Sequence, residues 1–149
     1  MGTPRTLWQS GADSKYPAGW GALMTPADYM DKANRALASA RLLLADGDTE
    51  GACNRAYYAM FDAAHAALLH ADPSLNPAST KTHRGLIAAF GEQLVKTGQC
   101  QADLGRSINQ VERIRLLADY TGEAINEGKA QWAINQAEVF VRVMEEFIS

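Results

Sequence analysis

From about residue 25 onward, apolar residues recur every three or four positions, the spacing of helices buried along one side. Thr25-Pro26 opens the first helix: Thr25 suits an N-cap, Pro26 the first helical position, and Asp28 the capping acid. Its stripe is Met30, Ala33, Leu37, Ala40 and Leu44, and Gly47 after Asp46 is the stop. A second helix follows at once behind Asp48 and runs to about Ala71. It carries one stripe of Cys53, Tyr57, Met60, Ala64 and Ala67 or Leu68, and another of Tyr58, Phe61, His65 and Leu69. Arg55 and Asp62 mark its polar edge, and a helix apolar over most of its circumference is usually central. Asp72 to about Lys81 holds two prolines and reads as a loop.

A third helix spans about Thr82 to Lys96, through Leu86, Ile87, Phe90 and Leu94. The fourth runs from about Gln101 to Tyr120 and is broken by Thr121-Gly122. The fifth, from about Asn126 to Phe147, is expected to bury Trp132, Ala133, Ala137, Phe140, Met144 and Phe147 or Ile148. No segment reads as a strand, and no repeat is visible. Short links between long helices imply antiparallel neighbours, so the expected fold is all-α, an up-and-down antiparallel helical bundle of about five helices. Residues 1–24 stand apart, with Trp8, Tyr16, Trp20, two prolines and no helical period. They read as a flexible tail or as an arm that docks its aromatics, leaving 25–149 as the bundle domain.

Composition changes this picture little. The chain has 149 residues, 47% hydrophobic and 21% charged, which suits one globular domain. No stretch approaches the roughly 20 apolar residues of a membrane helix. No signal peptide is visible at the N-terminus, so the expected location is cytoplasmic and no membrane is expected as a partner. Cys53 and Cys100 do not form a close pair, which argues against a disulfide framework or a thiolate metal site. The net charge of −3 lacks the basic excess of a duplex-DNA binder, whose affinity comes largely from neutralising phosphates. No metal and no cofactor is expected, since no phosphate-binding loop, dinucleotide fingerprint, nucleophile elbow or zinc-protease motif occurs.

The chemistry that remains is local. On the fourth helix, Leu104, Ile108 and Val111 define the inward stripe, and at about 100° per residue Arg115 falls at its centre. A guanidinium aimed at a core must find a partner, because burying an unpaired charge is costly. Asp119, one turn on, is one candidate; a carboxylate of another helix or a phosphate in a cleft is another. Arg113 points almost the opposite way and reads as a surface charge. His65 and His70 are five apart, on different faces, and make no metal pair. His65 reads as a hydrogen-bonded core histidine, and His70 as exposed at a helix end. His83 sits in the cationic cluster Lys81-Thr82-His83-Arg84-Gly85 at a helix start, where free N–H groups favour anions. A solvated basic turn is the competing reading. Tyr57 and Tyr58 could form a stacking platform, though tyrosines at helical spacing are more often core.

Three segments carry a resemblance: Asn54-Arg55-Ala56-Tyr57-Tyr58-Ala59-Met60-Phe61, Lys81-Thr82-His83-Arg84-Gly85, and Arg115-Leu116-Leu117-Ala118-Asp119-Tyr120. In this order and spacing, the chain from about 25 to 148 resembles small stand-alone prokaryotic members of the HEPN family (higher-eukaryote-and-prokaryote nucleotide-binding domains). The resemblance implies a helical bundle, a homodimer, and an RNA or nucleotide ligand. It also implies a two-gene toxin–antitoxin-like pair with a nucleotidyltransferase-like partner, and in many members metal-independent ribonuclease activity. The family's nuclease motif is an arginine followed four to six residues later by a histidine, near the dimer cleft. Arg115 matches the arginine, but the histidine is missing: Asp119 stands near its place, at slightly shorter spacing. RNA cleavage through the 2′-hydroxyl needs a base and an acid, which histidine supplies near neutral pH, whereas an ordinary aspartate, with a pKa of about 3.9, is a poor acid there. On this reading Arg115, Asp119 and His83 are the candidate catalytic residues. Arg84, Lys81, Arg55 and Tyr120 are the candidate RNA- or nucleotide-binding residues. A non-catalytic binding or assembly module with a degenerate motif is the competing function.

Overall fold

The computed structural model describes residues 24–149; the N-terminal arm expected from the sequence lies outside them. Among the described residues five α-helices follow one another: α1 (Pro26–Ala45), α2 (Thr49–Ala71), α3 (His83–Phe90), α4 (Ala102–Thr121) and α5 (Glu127–Ile148). No strand occurs among the described residues. The fold is the all-α bundle that the periodicity predicts.

Four of the five helices start where the sequence supplies an oxygen for the free N–H groups of the first turn; α4, behind Gln101, has no side-chain cap. Thr25 and Asp28 form a reciprocal capping box on α1, with Asp28 N–H donating to Thr25 Oγ1 at 3.1 Å and Thr25 N–H donating to Asp28 Oδ2 at 2.9 Å. Asp48 Oδ1 accepts from Gly51 N–H at 2.8 Å on α2, and Asn126 Oδ1 from Lys129 N–H at 2.7 Å on α5. The start of α3 is the one that positions chemistry. Thr82 Oγ1 accepts from Gly85 N–H at 2.9 Å, and a Cβ on Gly85 would lie 2.8 Å from the carbonyl oxygen of Ser79. The absent side chain therefore lets the helix begin hard against the preceding turn, with His83 as its first residue.

α2 is the centre, packed against α1, α3, α4 and α5. Its inward residues include Ala52, Ala56, Ala59, Ala63, Ala64, Ala66 and Ala67, all fully buried, which let neighbouring helices approach closely. Tyr57, Met60 and Leu68 fill the remaining volume, and Phe90 of α3 meets Phe140 of α5 at 5.4 Å between ring centroids. At the surface, Arg41 pairs with Glu138 at 2.8 Å and Asn34 donates to Glu145 at 3.0 Å, tying α1 to α5.

Three details depart from the sequence expectation. The third helix is not uniform to Lys96: after Phe90 it widens into a π turn, Gly91–Val95, closed by Lys96 N–H to the Gly91 carbonyl at 2.8 Å. The loop after α2 contains a short 3-10 turn, Pro77–Thr80, capped by Asn76. Trp132 is 36% exposed instead of buried. The inner line of α5 runs through Ala130, Ala133, Ile134, Ala137, Phe140, Val141 and Met144, and Trp132 falls to its flank. His65 is hydrogen-bonded as expected but half-buried, not in the core, with Nε2 3.1 Å from Thr80 Oγ1 and its ring stacked on Tyr29 at 4.2 Å.

Two stability outcomes follow from this packing. Phe140→Ala removes a fully buried ring and should cost about 3–5 kcal/mol in urea unfolding. Burial, helped by Lys32, holds the His65 imidazole below its ordinary 6.5. The unfolded chain therefore takes up the proton first, so this contribution is present above about pH 6.5 and is lost as pH falls through the lowered folded value. Wild-type unfolding midpoints should drop more steeply than those of His65→Gln between about pH 7 and about pH 5.5.

Candidate functional site

Three helices converge on a pair of tyrosines. α2 contributes Tyr57, fully buried, and Tyr58, half-buried; α3 contributes His83; α4 contributes Glu112 and Arg115. The Arg115 side chain is only 12% exposed, as its place on the inward stripe predicts. Its guanidinium carbon lies 4.7 Å from the Tyr57 ring centroid and 5.9 Å from that of Tyr58. Asp119 approaches Nη1 no closer than 3.8 Å and is itself 60% exposed. The chief neighbour of the charge is thus the face of Tyr57, with Asp119 a loose companion at the solvent side. The buried Nε of Arg115 has no hydrogen-bond partner among the described residues. That nitrogen is closed to solvent; an incoming anion would meet Arg115 where its remaining exposed part lines a cleft.

His83 closes the other side of the pair. Its Nδ1 lies 2.9 Å from the Tyr57 hydroxyl and its Nε2 3.3 Å from the Tyr58 hydroxyl, and its ring packs against Phe61 at 5.2 Å. The Tyr57 hydroxyl also donates to Glu112 Oε2 at 3.4 Å. Burial first, and then the Arg115 charge, hold the His83 imidazole below its ordinary 6.5, with Glu112 opposing. The ring is therefore neutral at pH 7 and can accept a proton. Burial, joined by Glu112, pushes the Tyr57 hydroxyl well above the usual phenol range, so it stays protonated. Cys53, nearby on α2, is pushed up to about 11 by burial against the opposing pull of Arg115, and a thiol in that state is not a nucleophile.

The other residues singled out in the sequence lie around this cluster. The Arg55 guanidinium sits 5.7 Å from the Tyr58 centroid. Lys81 and Arg84 flank His83 and are exposed. Arg115 and Asp119 line a cleft with Asp48, Glu50 and Asn54 at the start of α2. Tyr120, 83% exposed, lines a groove along α4 with Asn109, Glu112, Arg113, Leu116 and Leu117, so this groove borders the cluster at Glu112. Within one chain the structure therefore joins Arg115 to His83 through Tyr57, whereas Tyr120 lines the groove beside Glu112 and not the cleft that Arg115 lines. The sequence reading missed Glu112, and it left Tyr57 and Tyr58 as core. The available signal was that Glu112 stands one turn before Arg115, and that a buried tyrosine hydroxyl requires a partner. Among the described residues, no three His, Cys, Asp or Glu side chains group as a metal-ligand set.

The opposed charges on His83 give a signed outcome. Arg115→Gln should raise the His83 pKa toward its ordinary value, and Glu112→Gln should lower it further, both read by NMR titration of the imidazole.

Comparison with known proteins matches the HEPN domain over residues 27–147. The chain is 36% identical over 130 residues to a UPF0332 protein of Gloeobacter violaceus, covering 85% of this chain and 99% of that one. A Methanocaldococcus jannaschii protein named "Putative toxin" is 38% identical over 105 residues, 70% of this chain and 75% of its own. A UPF0332 protein of Thermotoga maritima is 35% identical over 120 residues, 78% and 86% of the two chains. The match spans all five helices and every residue of the Tyr57, His83 and Arg115 cluster, and this chain belongs to the HEPN domain family.

Proposed function

We propose that this chain binds RNA as the toxin-type member of a prokaryotic two-gene pair, and cleaves it by acid–base chemistry at the Arg115–His83 cluster. One observation carries the reading. The histidine that the α4 motif lacks after Arg115 is supplied from α3, where neutral His83 and the largely buried Arg115 rest on the same tyrosine ring. Names given to relatives in Methanocaldococcus jannaschii, "Putative toxin" in two cases, support the biological class.

In this mechanism His83 takes the proton of a ribose 2′-hydroxyl, whose oxygen attacks the adjacent phosphorus. Arg115 balances the charge that builds on the phosphate oxygens. The bond to the 5′ oxygen breaks, and that oxygen takes the proton back from the imidazolium, leaving a 2′,3′-cyclic phosphate and a 5′-hydroxyl. Arg55, Lys81 and Arg84 hold flanking phosphates. The active unit is a homodimer, and its partner is a nucleotidyltransferase-like protein. A second reading, a non-catalytic RNA- or nucleotide-binding module, draws on the closure of both His83 nitrogens by tyrosine hydroxyls.

Incubating a mixed cellular RNA pool with the protein in EDTA decides between them. Cleavage by wild type, lost by about 100-fold or more in Arg115→Ala and in His83→Ala with helical content intact, is the expected outcome. No cleavage by well-folded wild type would sink the ribonuclease and leave the binding module. Gel filtration with the neighbouring gene product should show a stable complex; a lone dimer that ignores it would remove the pairing.

A further inference from the structure

The contacts around His83 leave one proton to be allocated. Glu112 offers a carboxylate, which only accepts, and it lies 3.4 Å from the Tyr57 oxygen. Tyr57 has a single hydroxyl proton. If that proton pointed at His83 Nδ1, the Tyr57 and Glu112 oxygens would face each other with nothing between them, a repulsive contact beside a fully buried ring. If it points at Glu112, the Tyr57 oxygen accepts from Nδ1–H at 2.9 Å, and all the contacts are satisfied in one direction. The remaining nitrogen, Nε2, is then bare and accepts from the Tyr58 hydroxyl at 3.3 Å. Arg115 of α4 faces the same ring and opposes a second proton on it.

We propose that Glu112 is a positioning residue for His83, acting through the Tyr57 hydroxyl, so that the imidazole holds its proton on Nδ1 and presents a bare Nε2. The use of that nitrogen as the base rests on the ribonuclease reading above; the tautomer does not. Tyr58, half-buried and held more loosely than Tyr57, keeps a hydroxyl where a ribose hydroxyl has to sit to lose its proton. Glu112 and Tyr57 thus aim the base, and Tyr58 occupies its acceptor until RNA displaces it.

The test is the protonation pattern of the His83 ring in the full chain, labelled with nitrogen-15 at histidine and observed by long-range proton–nitrogen correlation at about pH 8, where imidazoles are neutral. His83→Gln identifies the signal. Wild type should show a protonated Nδ1 and a bare Nε2. Glu112→Gln, whose amide oxygen still accepts from Tyr57, should keep that pattern. Glu112→Val and Tyr57→Phe should move the ring to the Nε2-protonated form that free histidine favours, with kcat for RNA falling at least about tenfold at unchanged KM. Unchanged His65 and His70 signals establish that the fold is intact, and Glu112→Val, at a half-exposed position, decides the matter if Tyr57→Phe does not fold. A wild-type ring protonated on Nε2, or a ring unchanged in Glu112→Val, overturns the proposal. A wild-type ring protonated on Nδ1 in a protein that does not cut RNA leaves the relay standing and sinks only the ribonuclease reading.

Discussion

Burying most of a guanidinium in a helical bundle is costly unless something answers its charge, and here the main answer is the face of Tyr57. That choice shapes the whole polar end of the molecule. A bidentate carboxylate would have neutralised Arg115 and closed it. An aromatic face shields it while leaving donors unspent, as the unpartnered Nε shows. The same ring carries the hydroxyl that holds His83, so one tyrosine joins the cation to the imidazole and sets their relative place.

The position of Tyr57 depends in turn on the alanine-rich build of α2. The ring is fully buried on that helix, and α4 comes close enough for Arg115 to reach its face. α3 completes the arrangement through a different constraint. The Thr82 cap and the bare backbone of Gly85 start that helix against the preceding turn, and its first side chain lands on the two tyrosines. Packing and capping thus assemble the site, and charge tunes it. Arg115 pushes a proton off His83, Glu112 draws one toward it, and burial keeps the ring neutral between them.

Much of this fold is legible in the chain itself. Helix starts follow from Thr25, Asp48, Thr82 and Asn126, because a capping oxygen works within three residues of itself. The inward aim of Arg115 follows from helical geometry alone, as does the outward aim of Arg113. Local rules decide such features, so local sequence reveals them. Trp132 shows their limit: its size suggests burial, but the register of α5 against α2 turned it to the flank.

The site divides the same way. The sequence alone determined that an arginine would point inward on α4, that a histidine would stand at the start of α3, and that the motif on α4 lacks its own histidine. Only the tertiary structure decided that His83 and Arg115 meet on one tyrosine and that Glu112 joins them. The reason is physical: a side chain's direction on its own helix is set by a fixed turn per residue, whereas its neighbour across 26 or 55 residues of chain is set by how the helices pack.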